Sequence, residues 1–361
     1  MKCLVDSKEL AAGAAHVQKV ADRDHPQVRL TADEDLLVLE AMSAEGYSRV
    51  ELDAEVLAPG AAAVNATMLG ALTGVLPAGE TRLSSDDGTW LSLKAGRAHQ
   101  RLRLVAVEDM DMPSRPERMT PVPALGALIE SVAPFTDPRN VSIPLRCVHI
   151  VAADGMLAME ATNRLCYARR ETGVDGMPDM DALVAADRLK ALARGADSLG
   201  VTGSALFVGG GRGVDAIPLQ EGSFPSGLAD RLAADDAHPL WEAGREELTA
   251  AVRLVSAAHF TTAPVTPVTL KDADGMLGLV LDDTDSAGSQ VVDDADIRDA
   301  AALPMKLNAP YVLDAAAALG GRTIRVTGAD GTRPVKLTAL DDDGNEDATA
   351  LVYVNPIRTM Y

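Results

Sequence analysis

The residues able to do chemistry are few and far apart. His16, His25, His99, His149, His238 and His259 form no H-E-x-x-H pair that would seat a hydrolytic zinc, and none has a cysteine placed as a partner. Cys3, Cys147 and Cys166 are odd in number and widely spaced, so buried reduced thiols are expected, not a disulfide framework or a zinc site. Gly209-Gly-Gly-Arg-Gly213 follows a strand pattern but lacks the Lys-Ser/Thr of a phosphate loop, and no helix pattern follows, so it reads as a hairpin turn. Asp341, Asp343, Asn345 and Asp347 alternate as calcium ligands do. Gly344, however, stands at the fourth place of such a loop instead of the sixth, and Val352 stands where the closing Glu belongs. That stretch and Asp282-Asp-Thr-Asp285 read as solvated acidic loops. The residues themselves point to no catalytic group, metal or cofactor.

The informative charge pattern is basic. Lys8 and Lys19 lie eleven residues apart, which on a helix sets them within about 20° of each other, and Arg23 falls about 60° from Lys8 if the helix reaches it. Leu10, Val17 and Ala21 point the opposite way. In a second helical pattern Lys190 and Arg194 face away from Leu192. Such helices bury one side and show cations on the other, which describes an ordinary solvated face as well as a phosphate-binding one. The chain as a whole is acidic: 33 Lys and Arg against 53 Asp and Glu give a net charge of −20. Its average field does not hold nucleic acid, and any contact needs basic residues gathered on one surface.

The elements that position these groups come in copies. Glu34-Asp-Leu-Leu-Val-Leu-Glu-Ala41 aligns without a gap on Asp154-Gly-Met-Leu-Ala-Met-Glu-Ala161, at an offset of 120 residues. The same offset carries Tyr47 to Tyr167, Arg49 to Arg169, Val64 to Val184 and Leu69 to Leu189. A second step reaches Asp274-Gly-Met-Leu277, with the later helix of that copy slipped by four residues. The 361 residues therefore divide into three domains, 1–118, 119–240 and 241–361, joined at the Pro-rich Met112–Arg118 and the polar Ala233–Pro239. Each copy opens with an amphipathic helix (Leu10, Ala14, Val17, Ala21; Leu125, Leu128, Ile129, Val132; Leu248, Val252, Val255). Strands follow at Leu36–Ala41, Val148–Ala152 and Met276–Leu281. A second helix comes at Thr67–Thr73, Asp187–Arg194 and Tyr311–Leu319. Closing strands include Trp90–Lys94 with Gln100–Val105, Gly200–Val208 with Val214–Pro218, and Thr323–Thr327 with Val335–Leu340, with turn signals between them. Two helices on one face of a mostly antiparallel sheet is an α+β layer. Aromatics are only 3%, so the cores must be aliphatic. Met1–Leu10 lacks the apolar run of a signal peptide and no stretch has the length of a membrane span, so a soluble, cytoplasmic protein is expected.

In this order, on a threefold repeat, several segments resemble the bacterial DNA polymerase III β subunit, the sliding clamp. They are the opening Met1-Lys-Cys-Leu-Val-Asp6, Val107–Pro113, Leu219-Gln-Glu-Gly-Ser-Phe-Pro225, Leu307-Asn-Ala-Pro-Tyr-Val-Leu-Asp314 and Leu351-Val-Tyr-Val-Asn-Pro-Ile-Arg358. The resemblance implies a DNA clamp fold and a head-to-tail homodimer ring of six similar domains with helices lining the hole. It implies no enzymatic activity and no cofactor or metal. Double-stranded DNA would be held without reading of sequence, by Lys8, Lys19, Arg23, Arg139, Lys190 and Arg194. The ring joint would draw on Arg97, His99, Gln100 and Leu102 of the Gly96–Val105 strand and on Leu254 and Val255 of a third-copy helix. Polymerase, clamp loader and repair proteins would dock short apolar peptides on Leu145, Thr162, Arg164, Leu165, Pro334, Val354, Asn355 and Ile357. The chain departs from the family at Ala161-Thr-Asn-Arg-Leu165, two residues shorter than the family's segment. It departs again at Asn355 and Gln100, where apolar and aromatic residues are usual, and at the added Thr359-Met-Tyr361. A diverged clamp-like partner-binding protein that does not encircle DNA is the alternative.

Overall fold

The computed structural model describes residues 1–85, 88–107, 113–259, 265–282 and 286–358. Asp86 and Asp87, Glu108–Met112, Asp283–Asp285 and Thr359-Met-Tyr361 lie outside the described residues. The chain forms two compact units, one of Met1–Gly126 with Asp187–Leu219, the other of Ala127–Ala186 with Gln220–Tyr361. The units cut across the repeat, the first taking about a third of residues 119–240 and the second the rest.

The helices among the described residues are α1 (Ser7–Val17), α2 (Ala66–Thr73), α3 (Leu125–Val132), α4 (Ala186–Leu192), α5 (Leu228–Leu232), α6 (Arg245–Ser256) and α7 (Ala309–Leu319). The opening and mid-copy helices stand where the apolar spacing places them. Asp6 caps α1, its Oδ1 accepting the backbone N–H of Lys8 at 2.8 Å and of Glu9 at 3.1 Å. Two expectations need correction at helix ends. α1 stops at Val17, so Lys19 and Arg23 are not on its face. The last turn tightens through Lys19 N–H to His16 O and Val20 N–H to Val17 O, and Asp22 then builds a turn by accepting from Asp24 and His25 N–H. α4 likewise ends at Leu192, leaving Arg194 beyond it.

In the first unit the strands run in the order Ala98–Arg103, Trp90–Ala95, Glu80–Ser84, Lys2–Asp6, Gly46–Ala58, Gly213–Pro218, Ala205–Gly210, Ser198–Val201 and Thr120–Pro121. The long strand Gly46–Ala58 is the pivot. Its far half pairs with Lys2–Asp6 (Val5↔Ala54), while its near half pairs with a strand of the second copy (Tyr47↔Ala216). Gln27–Asp33, Leu36–Ser43 and Gly60–Asn65 branch from it. α1 and α2 pack on one face, where Leu10, Ala14, Val17 and Leu69 meet Leu30, Leu37, Leu39 and Leu52 in an aliphatic core. Burying each such leucine stabilises by about 1.5–3 kcal/mol. The stretch Gly200–Val208 is two strands, not the single strand its apolar content implies. Thr202 breaks it by bonding Ala205 across Gly203 and Ser204. Gly209–Gly213 is the expected hairpin: Gly210 pairs with Gly213, and Gly211 takes φ +56° at the turn.

In the second unit a nine-stranded sheet runs Met180–Ala185, Cys147–Ala153, Met156–Thr162, Cys166–Gly173, Ala350–Val354, Val335–Leu340, Thr323–Gly328, His238–Gly244 and Ala295–Ile297. A four-stranded sheet runs Ala287–Val292, Met276–Asp282, Pro267–Ala273 and Met305–Asn308, and α6 packs against α7. The second copy joins the third through Tyr167↔Tyr353, as the first joins the second through Tyr47↔Ala216.

The repeat extends to a buried polar network. Glu40, 4% exposed, sits directly across from Arg29 on one neighbouring strand and Arg49 on the other. Its carboxylate accepts from Arg29 Nη2 at 2.7 Å, from Tyr47 Oη at 2.6 Å and from Arg49 Nη1 at 3.2 Å, and Arg49 also donates to Glu51. One repeat later Glu160 holds the same register between His149 and Arg169. Tyr167 Oη donates to it at 2.5 Å, Arg169 Nη1 lies at 3.4 Å, and Arg169 Nε donates to Glu171 at 2.6 Å. Burial alone would push both glutamates up, yet their tyrosine and cation partners hold them below the usual carboxylate range. Burial pushes both tyrosine hydroxyls up, so they stay protonated donors.

Candidate functional site

The second unit carries a cleft of about 330 Å³. One wall is the turn that follows Met156–Thr162. Thr162 Oγ1 donates to Cys166 O at 2.6 Å, and Asn163 Oδ1 accepts from Leu165 and Cys166 N–H at 2.9 and 2.8 Å. This tight turn drives Arg164 to φ +76° and leaves Leu165 half exposed. The C-terminal segment clasps it: Asn355 N–H donates to Leu165 O at 2.8 Å, and Asn355 Nδ2 donates to Arg164 O at 3.0 Å. The shortened segment and the polar residue at 355 are thus partners, since an apolar side chain there could not reach the Arg164 carbonyl as a donor. Tyr167 and Tyr353, cross-strand neighbours with ring centroids 6.4 Å apart, lie at the base. Ser223 and Pro225 flank the buried Phe224, and the short helix α5 brings Leu228, Arg231 and Leu232.

Of the residues the sequence nominated for this cleft, Leu145, Thr162, Arg164, Leu165 and Asn355 line it. Pro334, Val354 and Ile357 stand outside the lining: Val354 is buried, pairing with Cys166 and Val335, and Ile357 N–H donates to Lys306 O. Sequence reasoning missed Tyr167, Tyr353, Arg231 and Leu228. The signal was present in Leu219–Pro225, which ends two residues before α5. Among the described residues, Arg164 and Arg231 are the charged members of the lining, and no carboxylate lines it. In a chain of net charge −20 this is a local reversal that favours an apolar ligand carrying a carboxylate.

The nominated cations divide between the units. Lys8, Arg23, Lys190 and Arg194 are exposed in the first unit, and Arg139 is exposed in the second. Lys19 is half-buried. Its Nζ donates to Ala191 O at the end of α4 at 2.8 Å, while Arg188 Nη1 donates back to Lys19 O at 3.1 Å. This exchange sets the turn after α1 beside Lys190 and Arg194. His16 Nε2 lies 2.9 Å from the buried Asp215 carboxylate in the same region, tying α1 to Gly213–Pro218.

The nominated joint residues sit at sheet ends. Ala98–Arg103 closes one end of the first unit's sheet, with Arg97, His99 and Gln100 exposed and Leu102 buried. Ala287–Val292 closes one end of the four-stranded sheet, and α6 lies on it, Val255 against Gly288. Leu254 is 64% exposed and Val255 is buried. Among the described residues no cluster of His, Cys, Asp and Glu could hold a metal ion, and no helix is long and apolar enough to cross a membrane.

No family model and no curated protein matches the chain by sequence. Solved structures match it in fold. The sliding clamp of Bacillus subtilis DNA polymerase superposes with a TM-score of 0.84 at 15% identity, over 100% of both chains. The DNA polymerase III β subunit of Pseudomonas aeruginosa gives 0.83 at 18% identity, over 99% of this chain and 100% of that one. The β subunit of Thermotoga maritima gives 0.82 at 16%. This is the sliding-clamp fold. Within it, α1 packs against α2 and α6 against α7, and the strand pairings Tyr47↔Ala216 and Tyr167↔Tyr353 carry sheets on from one repeat to the next.

Proposed function

We propose that this clamp-fold chain is a non-catalytic DNA sliding clamp. Two copies close head to tail, the open edge Ala98–Arg103 of one meeting Ala287–Val292 and α6 of the other, and the ring encloses duplex DNA. The cleft beside α5 takes short apolar peptides of the polymerase and other replication partners. The full-length likeness to solved clamps supports this reading more than any single residue does. Lys8, Arg23, Arg139, Lys190 and Arg194 meet phosphates without reading bases, and enclosure spares a −20 protein the need for tight contacts.

The test is retention. Purified protein should sediment as a dimer of the 37.7 kDa chain. Once loaded it should co-elute with nicked circular DNA and be released when the circle is cut. A monomer, or equal retention on linear and circular DNA, overturns the ring. Peptide binding without retention would identify the protein as a diverged partner-binding clamp relative instead.

A further inference from the structure

The network position that Arg29 fills in the first copy holds His149 in the second, while the glutamate, tyrosine and arginine around it are unchanged. Arg29 carries a permanent charge, whereas an imidazole is charged only when protonated. His149 is wedged between two carboxylates: Nδ1 lies 2.8 Å from Glu160 Oε1 and Nε2 lies 2.8 Å from Asp181 Oδ1. Carboxylates accept and do not donate, and a neutral imidazole has a single N–H. Only the imidazolium satisfies both contacts together. Glu160 faces the ring from Met156–Thr162, and Asp181, largely exposed and so the weaker partner, from Met180–Ala185. The 219–225 segment presents the uncharged Phe224 ring, stacked at 4.8 Å with planes 19° apart. Tyr167 and Arg169 reach Glu160 through its other oxygen.

Two lines run from this ring to the cleft. Glu160 holds Tyr167, which lines it. Phe224 carries Ser223 and Pro225, which also line it. We infer that His149 is a proton-dependent latch on the cleft: its imidazolium pins Glu160 and the Phe224 segment in the cleft-forming arrangement, and loss of the proton loosens that wall. The consequence for partners rests on the peptide reading of the cleft; the latch itself does not. Burial is the largest single influence on His149 and opposes its charge, but the bonds to Glu160 and Asp181 and their charges outweigh it, so the ring keeps its proton above the ordinary imidazole value. The contribution is therefore whole below about pH 6.5 and is lost as pH rises through the higher folded value.

Amide hydrogen exchange of the full chain, corrected for intrinsic rate and run between about pH 6 and pH 9 to bracket imidazole titration, reads this directly. Protection over residues 219–232 should fall by about tenfold at the high end, the loss of one charge-assisted bond, while Gln27–Asp33 beside Arg29 stays flat. His149→Arg should hold 219–232 flat across the range, and His149→Leu should leave it low throughout. The same profile in wild type and His149→Arg, or a flat wild type, overturns the latch. If the variants misfold, nitrogen-15 histidine spectra of the wild type decide: a His149 ring already neutral at pH 6 overturns it as well. A fluorescent pentapeptide rich in Leu and Phe, titrated at both ends of the range, separates the two readings. No binding at either pH with intact exchange behaviour removes the peptide site and leaves the latch.

Discussion

A glutamate buried in the middle of a sheet is costly unless its charge is answered. Glu40 and Glu160 are each answered by a tyrosine hydroxyl and cationic side chains. Glu40→Ala removes the acceptor and strands Tyr47 and Arg29, so urea unfolding should show a loss of about 3–5 kcal/mol. Both carboxyls sit below their unfolded value. Their stabilisation is complete above about pH 4.3 and is lost as pH falls through the lower folded values, so urea midpoints followed by circular dichroism should fall as pH drops below about 4. The cysteines allow a simpler check. All three are buried, and burial pushes the Cys3 thiol up to about 11 and the Cys166 thiol up as well. A thiol reagent at pH 8 should label none in the native protein and three after denaturation.

At the scale of elements, Gly210 is a position where side-chain absence matters. A Cβ there would run into the Gly195 carbonyl oxygen, where the hairpin crosses the loop after α4. Gly210→Ala should cost about 1–3 kcal/mol in chemical denaturation, with little effect on the second unit's cleft. Most elements were legible because their cores are periodic: Leu10, Ala14 and Val17 announce α1, and Leu248, Val252 and Val255 announce α6. Ends were harder to read. Nothing apolar marks the stop at Val17, where the last turn tightens through Lys19 and Val20 N–H before Asp22 turns the chain. The join of Tyr167 to Tyr353 was invisible, since two strands far apart in sequence carry no local sign of their register. The cleft was half legible for the same reason. Its turn and Asn355 could be nominated, but that they clasp each other, and that α5 closes the wall, depends on that distant pairing.

At the scale of the whole molecule, the two units are interleaved along the chain. The first is complete once Leu219 is made, whereas Ala127–Ala186 belongs with residues that follow. A polypeptide ended after Gly244 should give a protease-resistant first unit and rapid cleavage within 127–186, read by mass spectrometry of the fragments. The opposite pattern would contradict this division. The pairing Tyr167↔Tyr353 spans 186 residues of chain. On a ribosome adding about 5–20 residues per second, Cys166–Gly173 therefore waits about 10–40 s for its neighbour, with one side of its backbone unpaired. Arg169, Arg170 and Glu171 stand on that strand, and charged residues on a strand with a bare edge disfavour pairing with another chain in the interval.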